Sequence, residues 1–187
     1  GGQDAYLRGG YVWVECNLDR GQEYFERAVQ LQPDYAAAWS GLADTYGLRG
    51  LRGVVPPQED MLKAKAAAHR AVELDDSLGE AHNSMAALYL FGDWDLKRAD
   101  QESQRAIELN PDNAEARHVH SYILAAMNRP EAALQNTNDR RKSIPLPDHG
   151  RWVTCIFPFD FSTRRRTSWC RTWSPSATAP TSSSRWQ

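Results

Sequence analysis

The chain has 187 residues, 41% of them hydrophobic, and a formal charge of -2, enough apolar material for one domain or a short array. No apolar run approaches the roughly 20 residues that span a bilayer, and no charged-then-apolar leader ends in a cleavage site. A membrane segment is therefore not expected, and cytoplasm is the expected compartment. Three cysteines, Cys16, Cys155 and Cys170, are too few and too scattered for a disulfide framework or a zinc site, which needs about four close ligands. The sequence opens Gly-Gly and reads as a piece of a longer polypeptide. Its charge is split: residues 1 to 134 hold 13 Lys+Arg against 21 Asp+Glu, a balance of -8, whereas residues 135 to 187 hold 9 against 3, a balance of +6.

The first unit, about residues 4–33, is irregular. GQEYFERAVQLQP reads as an amphipathic helix through Phe25 and Ala28, stopped at Pro33, while YLRGGYVWVE fits a preceding helix only loosely. The second unit, 34–76, begins with Trp39, Leu42, Ala43 and Tyr46 at helical spacing and has small residues at Ala64 and Ala71. Between them GLRGLRGVVPPQED, with three glycines and Pro56-Pro57, predicts a loop, whose plainer reading is a tolerated insertion.

The third unit, 77–111, is the clearest. Ala81, Met85, Ala86, Leu88 and Tyr89 form one buried stripe; Leu96, Ala99, Ala106, Ile107 and Leu109 form a second, which Asn110-Pro111-Asp112 ends. Ser77-Leu78-Gly79-Glu80 and Asp112-Asn113-Ala114-Glu115 predict capping boxes at the helix starts. The fourth unit, 112–134, begins NAEARHVHSYILAAMNRPEAAL, with Ala133 in the small slot of its second helix, and is incomplete.

The helix-ending turns, at Pro33, Asp76, Pro111 and Pro145, are 43, 35 and 34 residues apart. A period near 34 with helix-turn-helix content and these residue types is the tetratricopeptide signature. Small residues suit the second helices because the two helices of a hairpin approach closely. The expected fold is all-α, a right-handed α-solenoid of three to four tetratricopeptide hairpins over residues 4–134, with an irregular tail over 135–187. The run from DYAAAWSGLADTYGL through NPDNAEARH further resembles the repeat arrays of large bacterial signalling proteins. In those, such arrays follow a winged-helix DNA-binding, protein kinase or nucleotide-cyclase domain, often with a TolB-like segment. That resemblance implies a scaffold role in a signalling or transcription regulator and leaves its output open.

After Leu134 the residues change character: no glutamate, eight arginines, four of the seven tryptophans and no helical period. Synonymous codons for Gln135 onward, read two bases later, spell EYERSTKIDPA, a second helix with its aromatic, small residue and terminal proline in tetratricopeptide order. A base lost near codon 135 is the expectation this raises, and it leaves the tail without functional content. The alternative is a nucleic-acid-binding adaptor whose disordered tail pairs Arg164-Arg165-Arg166 with phosphates and stacks Trp169 and Trp173 on bases. Nucleic acid is otherwise not an expected partner. An array without a polar capping helix would also expose apolar surface at its C-terminal end and self-associate there.

No pattern of residues points to catalysis, a metal or a cofactor. His118 and His120 lie two apart and face different sides of a helix. Asp93-Trp94-Asp95 precedes a helix, where carboxylates cap. Lys63, Lys65 and Arg70 read as a solvated face. Glycine-rich phosphate loops and nucleophile elbows are absent from the sequence. Binding remains, on the concave face that first helices line. With the stripes buried, the groove-facing residues are expected to be Ser40 and Asp44, then Glu80, Asn83, Ala87 and Phe91, then Glu115, His118 and Tyr122. Phe91 and Tyr122 are the expected anchors. Members of the wider superfamily that grip chaperone C-terminal carboxylates use lysines and asparagines on these faces. Lysine is missing from these slots, and Asp44, Glu80 and Glu115 favour an extended or helical peptide with some positive charge.

Overall fold

The computed structural model describes residues 1–14, 17–52 and 57–143. The expected tail from residue 144 onward and all three cysteines lie outside the described residues, and the structure does not test the reading-frame expectation. The described residues form eight α-helices: α1 (Gly2–Val14), α2 (Leu18–Leu31), α3 (Ala36–Arg52), α4 (Pro57–Leu74), α5 (Gly79–Leu88), α6 (Leu96–Leu109), α7 (Ala114–Ala126) and α8 (Pro130–Ser143). A single π-helical turn, Tyr89–Asp93, follows α5. Consecutive helices pair as four antiparallel hairpins, and each even helix also packs on the next odd one. The odd helices touch directly, α1 on α3, α3 on α5 and α5 on α7, while among the described residues the even helices make no comparable contact. The array therefore closes along its first helices and opens along its second, which is the solenoid geometry expected from the period.

Small residues allow this closeness. Ala28, Ala38, Ala43, Ala64, Ala68, Ala71, Ala81, Ala86, Ala99 and Ala106 are fully buried, so helix backbones approach where larger side chains would separate them. Phe25 packs between the first two hairpins against Gly9 and Gly41, whose missing side chains make room for its ring. Polar ties add direction: the Trp39 indole N–H donates to the Pro33 carbonyl at 2.9 Å, and the Tyr46 hydroxyl donates to Glu26 at 2.8 Å. Burial, and next the hydrogen bond to the Glu26 carboxylate, push the Tyr46 hydroxyl well above its ordinary range.

Three local expectations need correction. The stretch around residues 47–60 is mostly helix rather than loop: α3 continues through Gly47 and Gly50 to Arg52, and α4 begins at Pro57. Two glycines cost a helix about 2 kcal/mol, which burial of Leu48 and an ion pair between Arg49 and Asp60 at 3.1 Å offset. Proline is tolerated at the first helical position because its missing N–H would have no helical partner there. The insertion thus lengthens one hairpin, giving helices of 17 and 18 residues.

Neither expected capping box forms as drawn. The Ser77 N–H and hydroxyl both donate to Asp75 Oδ1, at 3.0 and 2.6 Å, so Asp75 holds the turn and Leu78 precedes α5 without a capping side chain. An ionised carboxylate two residues ahead outcompetes the backbone for the hydroxyl. At α7 the cap is Asn113, whose Oδ1 accepts from the N–H groups of Glu115 and Ala116 at 3.0 and 3.1 Å. Asp95 caps α6, accepting from the Arg98 N–H at 3.1 Å, as its place before a helix implies.

The third correction is at the end of the array. α8 runs to Ser143, past the boundary expected at 134. The Asn136 amide donates to the Arg117 carbonyl at 2.7 Å and the Thr137 hydroxyl to Ser121 at 3.1 Å, so polar bonds seat its middle on α7 where the apolar stripe is missing.

Candidate functional surface

The odd helices present the side chains singled out from the sequence, in two groups. The first joins α3 to α5. Ser84 Oγ lies 2.6 Å from Asp44 Oδ1 and 2.9 Å from Ser40 Oγ. A carboxylate only accepts, so Ser84 donates to Asp44 and Ser40 donates to Ser84. The pattern of apolar stripes did not mark Ser84, because serine at a stripe position reads as neutral. Ser40, Asn83 and Ala87 are 3, 4 and 1% exposed. They present almost no surface, because the odd helices pack directly on one another, α3 on α5 and α5 on α7, and they form packed floor where contact surface was expected. Asn83 Oδ1 is buried with no hydrogen-bond partner among the described residues. Glu80 is exposed and Asp44 half-buried.

The second group joins the π turn to α7. The Phe91 and Tyr122 rings meet edge to face with centroids 6.3 Å apart, and His118, one helical turn from Tyr122, stacks tilted on it at 4.8 Å. All three are half-buried, as is Glu115. The π turn positions Phe91. It inserts one residue between α5 and α6, which accounts for a repeat of 35 instead of 34 residues. The turn is clamped from α4: Gly92 packs so closely on Met61 that a side chain there would lie 2.9 Å from its sulfur, and Lys65 pairs with Asp93. Lys65 thus ties two hairpins together, whereas Lys63 and Arg70 pair with Glu59 and Glu73 along their own helix.

Behind both groups, α6 is fastened to its neighbours by histidine–carboxylate contacts. His82 of α5 lies 2.7 Å from Glu102 through Nδ1 and 2.9 Å from the Asp76 carbonyl through Nε2. His120 of α7 lies 3.1 Å from Asp100 through Nε2, while its Nδ1 is buried without a partner among the described residues. Burial lowers the His120 pKa, against the opposing attraction of Asp100. His118 and His120 serve different surroundings, and no cluster of three His, Cys, Asp or Glu able to hold a metal ion occurs among the described residues. Nor is any described helix long and apolar enough to cross a membrane.

No family model matches the chain. Among curated proteins it is similar to transcriptional regulator HilA of Salmonella typhimurium and of Salmonella typhi, at 26% identity over 150 residues in each case. The match covers 75% of this chain and 26% of those proteins, so the chain spans about a quarter of the length of the curated relatives it matches. Its fold is similar to TTC0263, a tetratricopeptide-repeat protein of Thermus thermophilus, with a TM-score of 0.57 at 15% identity over 78% of this chain and 92% of that one. It is likewise similar to a MamA fragment from Desulfovibrio magneticus, with a TM-score of 0.53 at 14% identity over 76% and 75%. The fold is a tetratricopeptide-type α-solenoid.

Proposed function

We propose that the chain is a non-catalytic protein-interaction module of a bacterial signalling or transcription regulator, and that its row of first helices takes an extended or helical peptide carrying positive charge. The observation that carries this reading is the aromatic group of the π turn and α7, where the half-buried Phe91, His118 and Tyr122 rings meet, on a row of first helices that also carries the exposed Glu80 and the half-buried Glu115. Aromatic side chains offer large contact area at low entropy cost, and flanking carboxylates favour lysine and arginine on the partner. The similarity to HilA supports a transcription regulator as the parent protein. In the alternative reading, nucleic acid binds the basic residues after 134, most of which lie outside the described residues.

Selection from a phage-displayed random peptide library tests the proposal. Enriched peptides should carry Lys or Arg, Tyr122→Ala should weaken them by about thirtyfold, the scale of a truncated anchor, and Glu80→Lys with Glu115→Lys should abolish the preference for basic residues. Acidic or charge-neutral enriched peptides, or binding indifferent to all three substitutions, would refute the reading.

A further inference from the structure

α1 carries an uncovered copy of the surface by which the hairpins stack. Aligning the first residues of the odd helices, Gly2, Ala36, Gly79 and Ala114, puts Leu7 and Tyr11 in register with Gly41 and Thr45, with Ser84 and Leu88, and with Val119 and Ile123. In the three later hairpins these places are closed: Gly41 lies against Phe25, and Thr45, Ser84, Leu88, Val119 and Ile123 are all buried. Leu7 and Tyr11 are 68 and 69% exposed. Two large apolar side chains, one helical turn apart, thus stand in solvent where the same register elsewhere is core.

From this we infer that the Leu7–Tyr11 face of α1 receives a further helical hairpin of the same kind, continuing the solenoid ahead of α1. Leu7 also specifies the size of the residue it meets. Six residues before the ends of α2, α4 and α6 stand Phe25, Ala68 and Ser103, all buried, and the following odd helices carry Gly41, Ser84 and Val119 in the register of Leu7. A large residue goes with glycine, a small one with a larger partner, as constant helix separation requires. Leu7 therefore takes a helix with Ala, Ser or Gly at that place. Two apolar side chains are too little surface for a stable dimer, which buries about 1,200–2,000 Å², so a second copy is the weaker occupant. This inference is independent of the peptide-binding reading.

The test fuses a second copy of residues 78–112, the α5–α6 hairpin with its buried Ala99, Ser103 and Ala106, directly ahead of Gly1 of the full chain. This keeps the register, because Gly1 stands before α1 as Asn113 stands before α7. The fused chain should unfold in one transition at a higher urea midpoint than the unfused chain. Leu7→Ser with Tyr11→Ser should erase that gain while leaving the unfused midpoint unchanged. Failure of the midpoint to rise, or a rise that survives both substitutions, would overturn the inference. So would self-association of the unfused chain, measured by sedimentation, that disappears in the double variant, since a second copy would then be the occupant.

Discussion

Phe25 of α2 occupies the space that Gly41 of α3 leaves empty: a methyl group on Gly41 would lie 2.6 Å from the Phe25 ring. The ring has little room to withdraw, because Gly9 of α1 also bounds it, where a methyl would lie at 2.8 Å, and Phe25 is fully buried. Gly41→Ala should therefore destabilise the chain by about 1–2 kcal/mol even after the helix-propensity gain of about 1 kcal/mol that alanine brings. Phe25→Leu makes room for the methyl. The cost of the double variant should fall short of the summed single costs by at least about 0.5 kcal/mol in urea denaturation, and strict additivity would show that the two residues do not share this space.

Arg49 is the polar counterpart of that contact. Its Nε donates to Asp60, a carboxylate only 5% exposed in the first turn of α4, and its Nη1 pairs with Asp19 at the start of α2. Removing the guanidinium leaves Asp60 buried without its cation, so Arg49→Met should cost about 3–5 kcal/mol. Replacing both, as Arg49→Met with Asp60→Leu, should recover most of it, because two apolar side chains need no charge partner. Asp19 is 75% exposed, and Asp19→Ala should change the unfolding midpoint little, as exposed ion pairs do. A large effect at Asp19, or no recovery in the double variant, would contradict this account.

Legibility in the sequence followed the size of the signal. Alanines at Ala64, Ala71, Ala99 and Ala106 recur at a fixed period, and small residues at fixed spacing survive any local accident, so the hairpins were readable. The long second hairpin was not, because Gly47, Gly50, Pro56 and Pro57 speak locally for a loop while Leu48 and the Arg49–Asp60 pair stabilise helix only through contacts distant in sequence. The groove set failed in part for the same reason. Period alone separates the stripe of one helix from its other faces, but α5 is covered on nearly every side, so Ser40, Asn83 and Ala87, placed on an open face by period, are enclosed by the neighbouring first helix. The extra residue of the third repeat was visible as a spacing of 35, and only the backbone identifies it as the π turn beneath Phe91.

His120 makes stability depend on pH. In the neutral ring Nε2–H donates to Asp100, and the buried Nδ1, which faces no acceptor among the described residues, is the nitrogen left bare. Protonation would bury an unmet N–H, and desolvation, the main cause, holds the folded pKa below the ordinary 6.5. Between the folded value and 6.5 the unfolded chain binds more protons, so this residue's contribution is full above about pH 6.5 and falls as the pH drops through that window. His120→Gln keeps a donor for Asp100 and cannot titrate. Urea unfolding of the two chains across this range should show a steeper loss on acidification in the wild type, and parallel curves would remove His120 from the account.

Trp94 closes the π turn in the left-handed region, with φ of 56° and its side chain 68% exposed. Asn128, the other non-glycine residue with positive φ among the described residues, is at 58°, where asparagine is tolerated because its short amide bonds locally. Tryptophan has no such compensation, and a Cβ there costs about 1–2 kcal/mol against the following carbonyl. Comparing two truncations isolates the backbone from the lost ring: Trp94→Gly should be more stable than Trp94→Ala by about 1 kcal/mol. At Ala66, exposed in the middle of α4, the order should reverse, with Ala66→Gly costing about 1 kcal/mol. Equal stability of the two Trp94 variants in urea denaturation would mean that the π turn relaxes once the ring is gone, and that Tyr89–Asp93 keeps its shape through Trp94 and not through the Gly92–Met61 and Lys65–Asp93 contacts.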